Sequence, residues 1–195
     1  MNNSRLRILT TIFACSIGWS ALSAQERTTE QEQFWNNLQA LCGKAFEGKA
    51  AEVPEGNTTY AGKRLVMHVR KCEPDVVQIP FHVGENRSRT WIVTRTEKGL
   101  RLRHDHRHED GTQDTNTQYG GDTTAAGTAR LQEFPVSTPT STPAGALNVW
   151  SIELVPGRTF AYGLRRKEGP DRRFRIEFDL SKTVDAPPPA WGHQD

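Results

Sequence analysis

The chain has 195 residues, with 25 Lys and Arg against 23 Asp and Glu, 35% hydrophobic residues and three cysteines. That length suits one globular domain with short extensions. The composition excludes a multi-span membrane protein, a collagen and a disulfide-dense miniprotein, while eight Phe and five Trp supply a core.

The first 24 residues have the pattern of a secretory signal peptide. Arg5 and Arg7 form a positive start, Ile8 to Ile17 is largely apolar, and Ser20-Ala21-Leu22-Ser23-Ala24 supplies small residues before Gln25-Glu26-Arg27. The apolar stretch falls short of the ~20 residues that a transmembrane helix needs. The expected product is therefore exported, periplasmic or secreted, without a transmembrane segment. Cys15 offers a second reading, a lipid anchor, although Phe13 is bulky where a lipobox has small residues. The signal carries two of the 25 basic residues and none of the 23 acidic ones, so the mature chain is balanced in charge. Nothing in that balance points to a nucleic-acid partner. Cys42 and Cys72 remain, and an even pair in an exported chain is expected to form a disulfide.

Residues 28–47 read as an amphipathic helix. Thr29 with Glu32 fits a capping box, and Phe34, Leu38, Leu41, Cys42 and Ala45 recur at helical spacing. From residue 63 the period changes to two. Alternating segments run over Lys63–Cys72, Val76–Val83, Arg89–Thr96, Leu100–His108, Leu147–Val155, Thr159–Arg166 and Arg172–Leu180, with weaker ones at Thr115–Tyr119 and Arg130–Phe134. Glu73-Pro74-Asp75, Glu97-Lys98-Gly99, Pro156-Gly157 and Gly169-Pro170-Asp171 read as turns. Pro135–Pro143 reads as a polar loop. In the last strand Phe174, Ile176, Phe178 and Leu180 form one apolar face. The expected fold is mostly β: an antiparallel barrel-like (calycin-like) or strongly curled sheet of seven to nine strands with one N-terminal helix. The domain should span residues 25–182, followed by a Pro-rich tail at 183–195 with Trp191 docked on the body.

Chemistry concentrates in Gly99–Gly111. On a strand, Leu100, Leu102, His104, His106 and His108 share one face, and Arg101, Arg103, Asp105, Arg107 and Glu109 the other. The leucines must face the core, so the three histidines are expected to follow them inward and line a cavity mouth. His104 and His106 are close enough to share one ligand or metal ion. His104 and His108, about 13 Å apart at ~3.3 Å per residue, are not. A metal site would need a further donor, with Glu109, Asp110 and Asp114 the nearest candidates and His68 and His82 on the wrong strand parity. Tyr119 would be a hydrogen-bonding partner on the next strand, and Tyr119-Gly120-Gly121-Asp122 reads as a turn or an anion-binding nest.

The cupin pattern of paired His-rich motifs is incomplete here, and the Gly-x-Trp of lipocalins is missing near the first strand. The stretch His104-Asp105-His106-Arg107-His108-Glu109-Asp110-Gly111-Thr112, with Tyr119-Gly120-Gly121 downstream, resembles a segment of uncharacterised exported bacterial proteins. That resemblance implies export and carries no activity. No Gly-x-Ser-x-Gly, Walker or paired-Cys metal motif is present.

Three functions are consistent with these residues. One is an exported domain that binds a small molecule in a His-lined barrel cavity. Another is a metal-dependent enzyme, its divalent ion held by two of His104, His106 and His108 with Glu109 or Asp110 as base. The third is a structural envelope protein. Ligand binding without turnover is the expected one.

Overall fold

In the computed structural model, which describes residues 27–138, 143–168 and 173–193, the alternating segments pair into one antiparallel sheet. The chain runs through β1 (Ala45–Glu52), β2 (Leu65–His68), β3 (Lys71–Cys72), β4 (Val76–Val83), β5 (Asn86–Thr96), β6 (Gly99–His106) and β7 (Tyr119–Asp122). It continues through β8 (Leu131–Pro135), β9 (Asn148–Val155), β10 (Thr159–Arg166) and β11 (Phe174–Asp179). Consecutive strands pair in the sheet except at β7 and β8, its two ends, and β11 returns to pair with β1, Gly48 opposite Phe178. β2 and β3 are two pieces of one interrupted strand, both paired with β4. The sheet is an up-and-down meander nearly closed into a barrel. Its eleven strands, counted among the described residues, exceed the expected seven to nine.

The seam lies between β7 and β8. There the backbone N–H groups of Ser137 and Thr138 donate to the Gly120 carbonyl at 2.9 and 3.3 Å. A Cβ on Gly120 would strike the Leu102 carbonyl oxygen of β6, and one on Gly121 the Pro135 carbonyl oxygen of β8. The Tyr-Gly-Gly-Asp stretch, read above as a turn or nest, is instead a strand whose missing side chains permit close approach. It also begins later than the expected Thr115–Tyr119 segment.

Alternation holds inside the barrel. Leu100, Leu102, Trp91, Phe81, Phe160 and Phe178 are buried in one core, and so are Phe174, Ile176 and Leu180 of the last strand. Outward residues make ion pairs: Arg175 with Glu153 and Glu177, Arg165 with Glu133, Arg101 with Asp122. The arginines described around the β10–β11 hairpin thus include two already paired with carboxylates.

The helix α1 (Thr29–Gln39) covers the barrel end that carries the β5–β6 turn. Gln31 donates to Thr123 Oγ1 at 3.0 Å and Asn37 to the Ala129 carbonyl at 3.2 Å, while Phe34, Trp35 and Leu38 are buried. Two details of the sequence reading change here. The capping box is Thr28 with Gln31, one residue earlier, which frees Glu32 to pair with Arg27 and Arg95. The helix also stops at Gln39 rather than 47, and Ala45–Glu52 is a strand. Its Ala, Glu and Lys residues favour a helix, and ladders with both β2 and β11 override that preference.

The Pro-rich tail is a strap across the outside of β1, β2, β4, β5 and β6. Val184 N–H donates to the Ala45 carbonyl at 2.9 Å, and Trp191 N–H to the Arg87 carbonyl at 3.1 Å. Arg70 and Arg87 donate to the carbonyls of Pro187 and Pro189. Beside it lie buried outer-face residues, among them Val66, His68, His82, Thr90 and Asp105.

Among the described residues no helix is long and apolar enough to cross a membrane. The expected signal peptide and Cys15 lie outside the described residues, as does part of the Pro135–Pro143 loop.

Cys42 and Cys72 are bonded, with Cα atoms 6.2 Å apart, and tie the segment after α1 to β3 across 30 residues. Replacing both with Ser is expected to cost about 3 kcal/mol in loop-closure entropy. For a chain of this size that lowers Tm by roughly 6–12 °C. Calorimetry of the Cys42→Ser, Cys72→Ser protein checks it, and thiol titration of the denatured native chain should find neither sulfur free.

Candidate functional site

A cavity of about 240 Å³ opens at the barrel end away from α1. Its position follows from strand register. Across β4, β5, β6 and β7 one row of paired residues reads Ile79, Trp91, His104, Tyr119, and the next row toward the mouth reads Phe81, Arg89, His106. Trp150 of β9, Tyr162 and Leu164 of β10 and Phe174 of β11 face them across the barrel, and Pro54, Asn57, Thr59 and Tyr60 come from the β1–β2 loop.

His104 sits at the floor of this cavity with 1% of its surface exposed. Its Nδ1 lies 3.1 Å from the Tyr119 carbonyl oxygen and its Nε2 2.6 Å from the Tyr162 hydroxyl. A carbonyl can only accept, so Nδ1 carries the proton and donates. Nε2 then accepts from Tyr162 O–H. Both ring nitrogens are committed, and the ring is neutral: burial pushes its pKa from the ordinary 6.5 down to about 3. The imidazole stacks on Tyr119 at 4.5 Å between ring centres and tilts against Trp150 at 4.6 Å. Trp150 in turn stacks on Tyr162, and Tyr162 meets Trp91 at 4.2 Å. Burial raises the hydroxyl pKa of both Tyr119 and Tyr162, so both phenols stay protonated.

His106 is half-buried nearer the mouth, its Nε2 3.3 Å from the Tyr119 hydroxyl. Burial, then the nearby Arg89 charge, lowers its pKa to about 4. The inward row ends here. After the Arg107–Gln113 bridge the chain turns: His108 N–H donates to the Thr112 carbonyl, Gly111 N–H returns to the His108 carbonyl, and His108 is exposed. The expected third histidine therefore leaves the row, because the strand that would hold it inward has stopped. Glu109 and Asp110 are exposed on the same turn, where Asp110 accepts from the N–H and hydroxyl of Thr112. Asp114 is half-buried, accepts from Asn116 N–H, donates its own backbone N–H to the His106 carbonyl at 2.9 Å, and acts on the His106 ring through its charge. The structure brings His104, His106 and Tyr119 together and leaves His108, Glu109, Asp110 and Asp114 outside the cavity lining. Among the described residues no three His, Cys, Asp or Glu side chains are grouped to hold a metal ion.

Asp105 departs from the expectation that outward charges meet solvent. It points away from the cavity yet is 2% exposed. Burial alone would raise its carboxyl pKa, but hydrogen bonds from His193 and Arg107, each at 2.8 Å, hold it below the ordinary range. Gln118 Nε2 donates to its other oxygen at 2.9 Å. One β6 strand thus sends His104 and His106 to the cavity and Asp105 to the strap.

Arg89, Trp91, Trp150 and Tyr162 were not singled out from sequence. The signal for Arg89 was present, since it shares strand parity with Trp91 and Val93. The meeting of β9 and β10 with β6 across the barrel has no local signature.

Two consequences are measurable. Replacing Tyr162 with Phe strips His104 Nε2 of its donor in a dry interior, and urea denaturation should show a loss of about 1–3 kcal/mol. A second concerns pH. His104, His106 and His82, the last lowered to about 4 by burial and then by Arg87, bind protons more readily in the unfolded chain. The stability held by their neutral forms is complete above about pH 6.5 and is lost as pH falls toward 4. The slope is about 1.4 kcal/mol per pH unit for each group. Denaturation curves at pH 7 and pH 5 should therefore differ markedly, the acid one less stable.

Neither protein-family models, nor curated proteins, nor solved structures returned a match to this chain.

Proposed function

We propose that this is an exported binding protein that takes a small molecule into the aromatic, His-lined mouth of its barrel without turning it over. The observation that carries the reading is the cavity itself: about 240 Å³, apolar walls of Trp91, Trp150 and Tyr162, and a few polar groups held in fixed positions. Pockets that bind small ligands have this make-up. Binding rather than turnover is favoured because among the described residues no carboxylate lines the cavity and His104 has both ring nitrogens engaged by the protein. Export is supported by the Cys42–Cys72 disulfide, a bond that persists in oxidising compartments, and by the signal-like residues 1–24.

Titration with one- and two-ring aromatic compounds of negative, zero and positive charge tests the proposal, following the indole N–H resonances of the protein by NMR. At least one compound should shift the Trp91 and Trp150 signals saturably while leaving Trp35, buried on the inner face of α1, unmoved. His106→Ala should weaken that binding several-fold and Arg103→Ala should not. Absence of any saturable shift across the set sinks the binding reading.

A further inference from the structure

The lining of the cavity also carries information about charge. Among the described residues that line it, Arg89 is the only formally charged side chain. It reaches the inner face of β5 because it alternates with Trp91, between Phe81 and His106 in the neighbouring strands. Its Nη1 is anchored by Asn86 Oδ1 at 2.8 Å and Ser88 Oγ at 3.2 Å, both uncharged. Among the described residues no carboxylate pairs with it. Arg89 is half-buried, so its guanidinium sits partly out of water without a counter-ion.

The aromatic wall faces Arg89 across the barrel, where Trp150 stacks on Tyr162. Among the described lining residues the guanidinium therefore meets no anionic partner. Most of the remaining lining is aromatic, with Pro54, Asn57, Thr59 and Leu164 besides, and the cavity's volume lies just below the usual range of about 300–1,000 Å³ for drug-sized ligands. An ammonium ligand would find ring faces, but it would also meet the Arg89 charge with no carboxylate to offset it.

We propose that the ligand is a planar aromatic acid of one or two rings, its ring against the Trp150–Tyr162 stack and its carboxylate on the Arg89 guanidinium. This rests on the binding reading above and adds the chemical class of the ligand. A carboxylate supplies the counter-charge that Arg89 lacks, in the two-pronged form that arginine matches best. His106, neutral and adjacent, adds a hydrogen-bonding group without adding charge.

The test is calorimetric titration of the intact protein at pH 7 with three isosteric probes: 2-naphthoate, 2-naphthylmethanol and 2-naphthylmethylammonium. The carboxylate should bind at least about tenfold tighter than the alcohol, as expected for a charge-assisted hydrogen bond over a neutral one, and the ammonium weakest. In Arg89→Gln the advantage of the carboxylate should vanish while the alcohol still binds within about twofold of its wild-type affinity, and Arg89→Lys should keep part of the advantage. If the alcohol or the ammonium matches the carboxylate in the wild type, the ligand class is wrong and the binding reading stands. The same holds if the advantage survives in Arg89→Gln. If none of the three binds, both readings fall. Should Arg89→Gln not fold, the wild-type comparison and Arg89→Lys still decide.

Discussion

A histidine at the centre of an aromatic core must be neutral, and a neutral imidazole there needs one acceptor and one donor at set positions. His104 finds both: the Tyr119 carbonyl of β7 takes the Nδ1 proton, and the Tyr162 hydroxyl of β10 donates to Nε2. These two contacts link three strands across the barrel. They orient the ring so that it stacks on Tyr119 and meets Trp150, which sets the floor of the cavity. Without them the aromatic wall has no fixed geometry. The polar groups of the site would then have no common frame.

The same strand serves two surfaces with opposite chemistry. Inside, β6 presents apolar residues that give way to imidazoles as the barrel opens. Outside, it presents charges, most of them paired at the surface, and one, Asp105, sealed beneath the C-terminal strap. The burial of Asp105 is compensated by Arg107, Gln118 and His193, so the tail is held by a charge-assisted contact as well as by backbone bonds. Cavity and strap are therefore mechanically close: adjacent residues of one strand reach into each. The disulfide acts at the other end, tying the segment after α1 to β3 and so fixing how the helix closes the barrel base.

Closure of the sheet depends on what is missing. The Gly120-Gly121 pair lets β7 approach both β6 and the end of β8 to distances that a side chain would forbid. That approach brings the Tyr119 carbonyl beneath His104. A strand of four residues, two of them without side chains, has little intrinsic preference for the extended state. Its neighbours impose it.

Much of this was legible in the residues themselves. Period-two alternation located most strands, and the parity of Leu100 and Leu102 placed His104 and His106 inside, because a continuous strand cannot turn alternate side chains outward. The Cys42–Cys72 pairing and the mostly β class were legible in the same way, from composition and spacing. Most of what failed depended on partners distant in sequence. Ala45–Glu52 has helix-favouring residues and became a strand only because β2 and β11 flank it. His108 left the row because the strand ended before it, at a turn whose bonds involve Thr112. Asp105 was buried by a tail nearly ninety residues away. The cavity exists because β9 and β10 curl round to face β6, bringing Trp150 and Tyr162 to His104. Local alternation says which way a side chain points, but only closure of the barrel decides what it meets, since that depends on the register of every strand between.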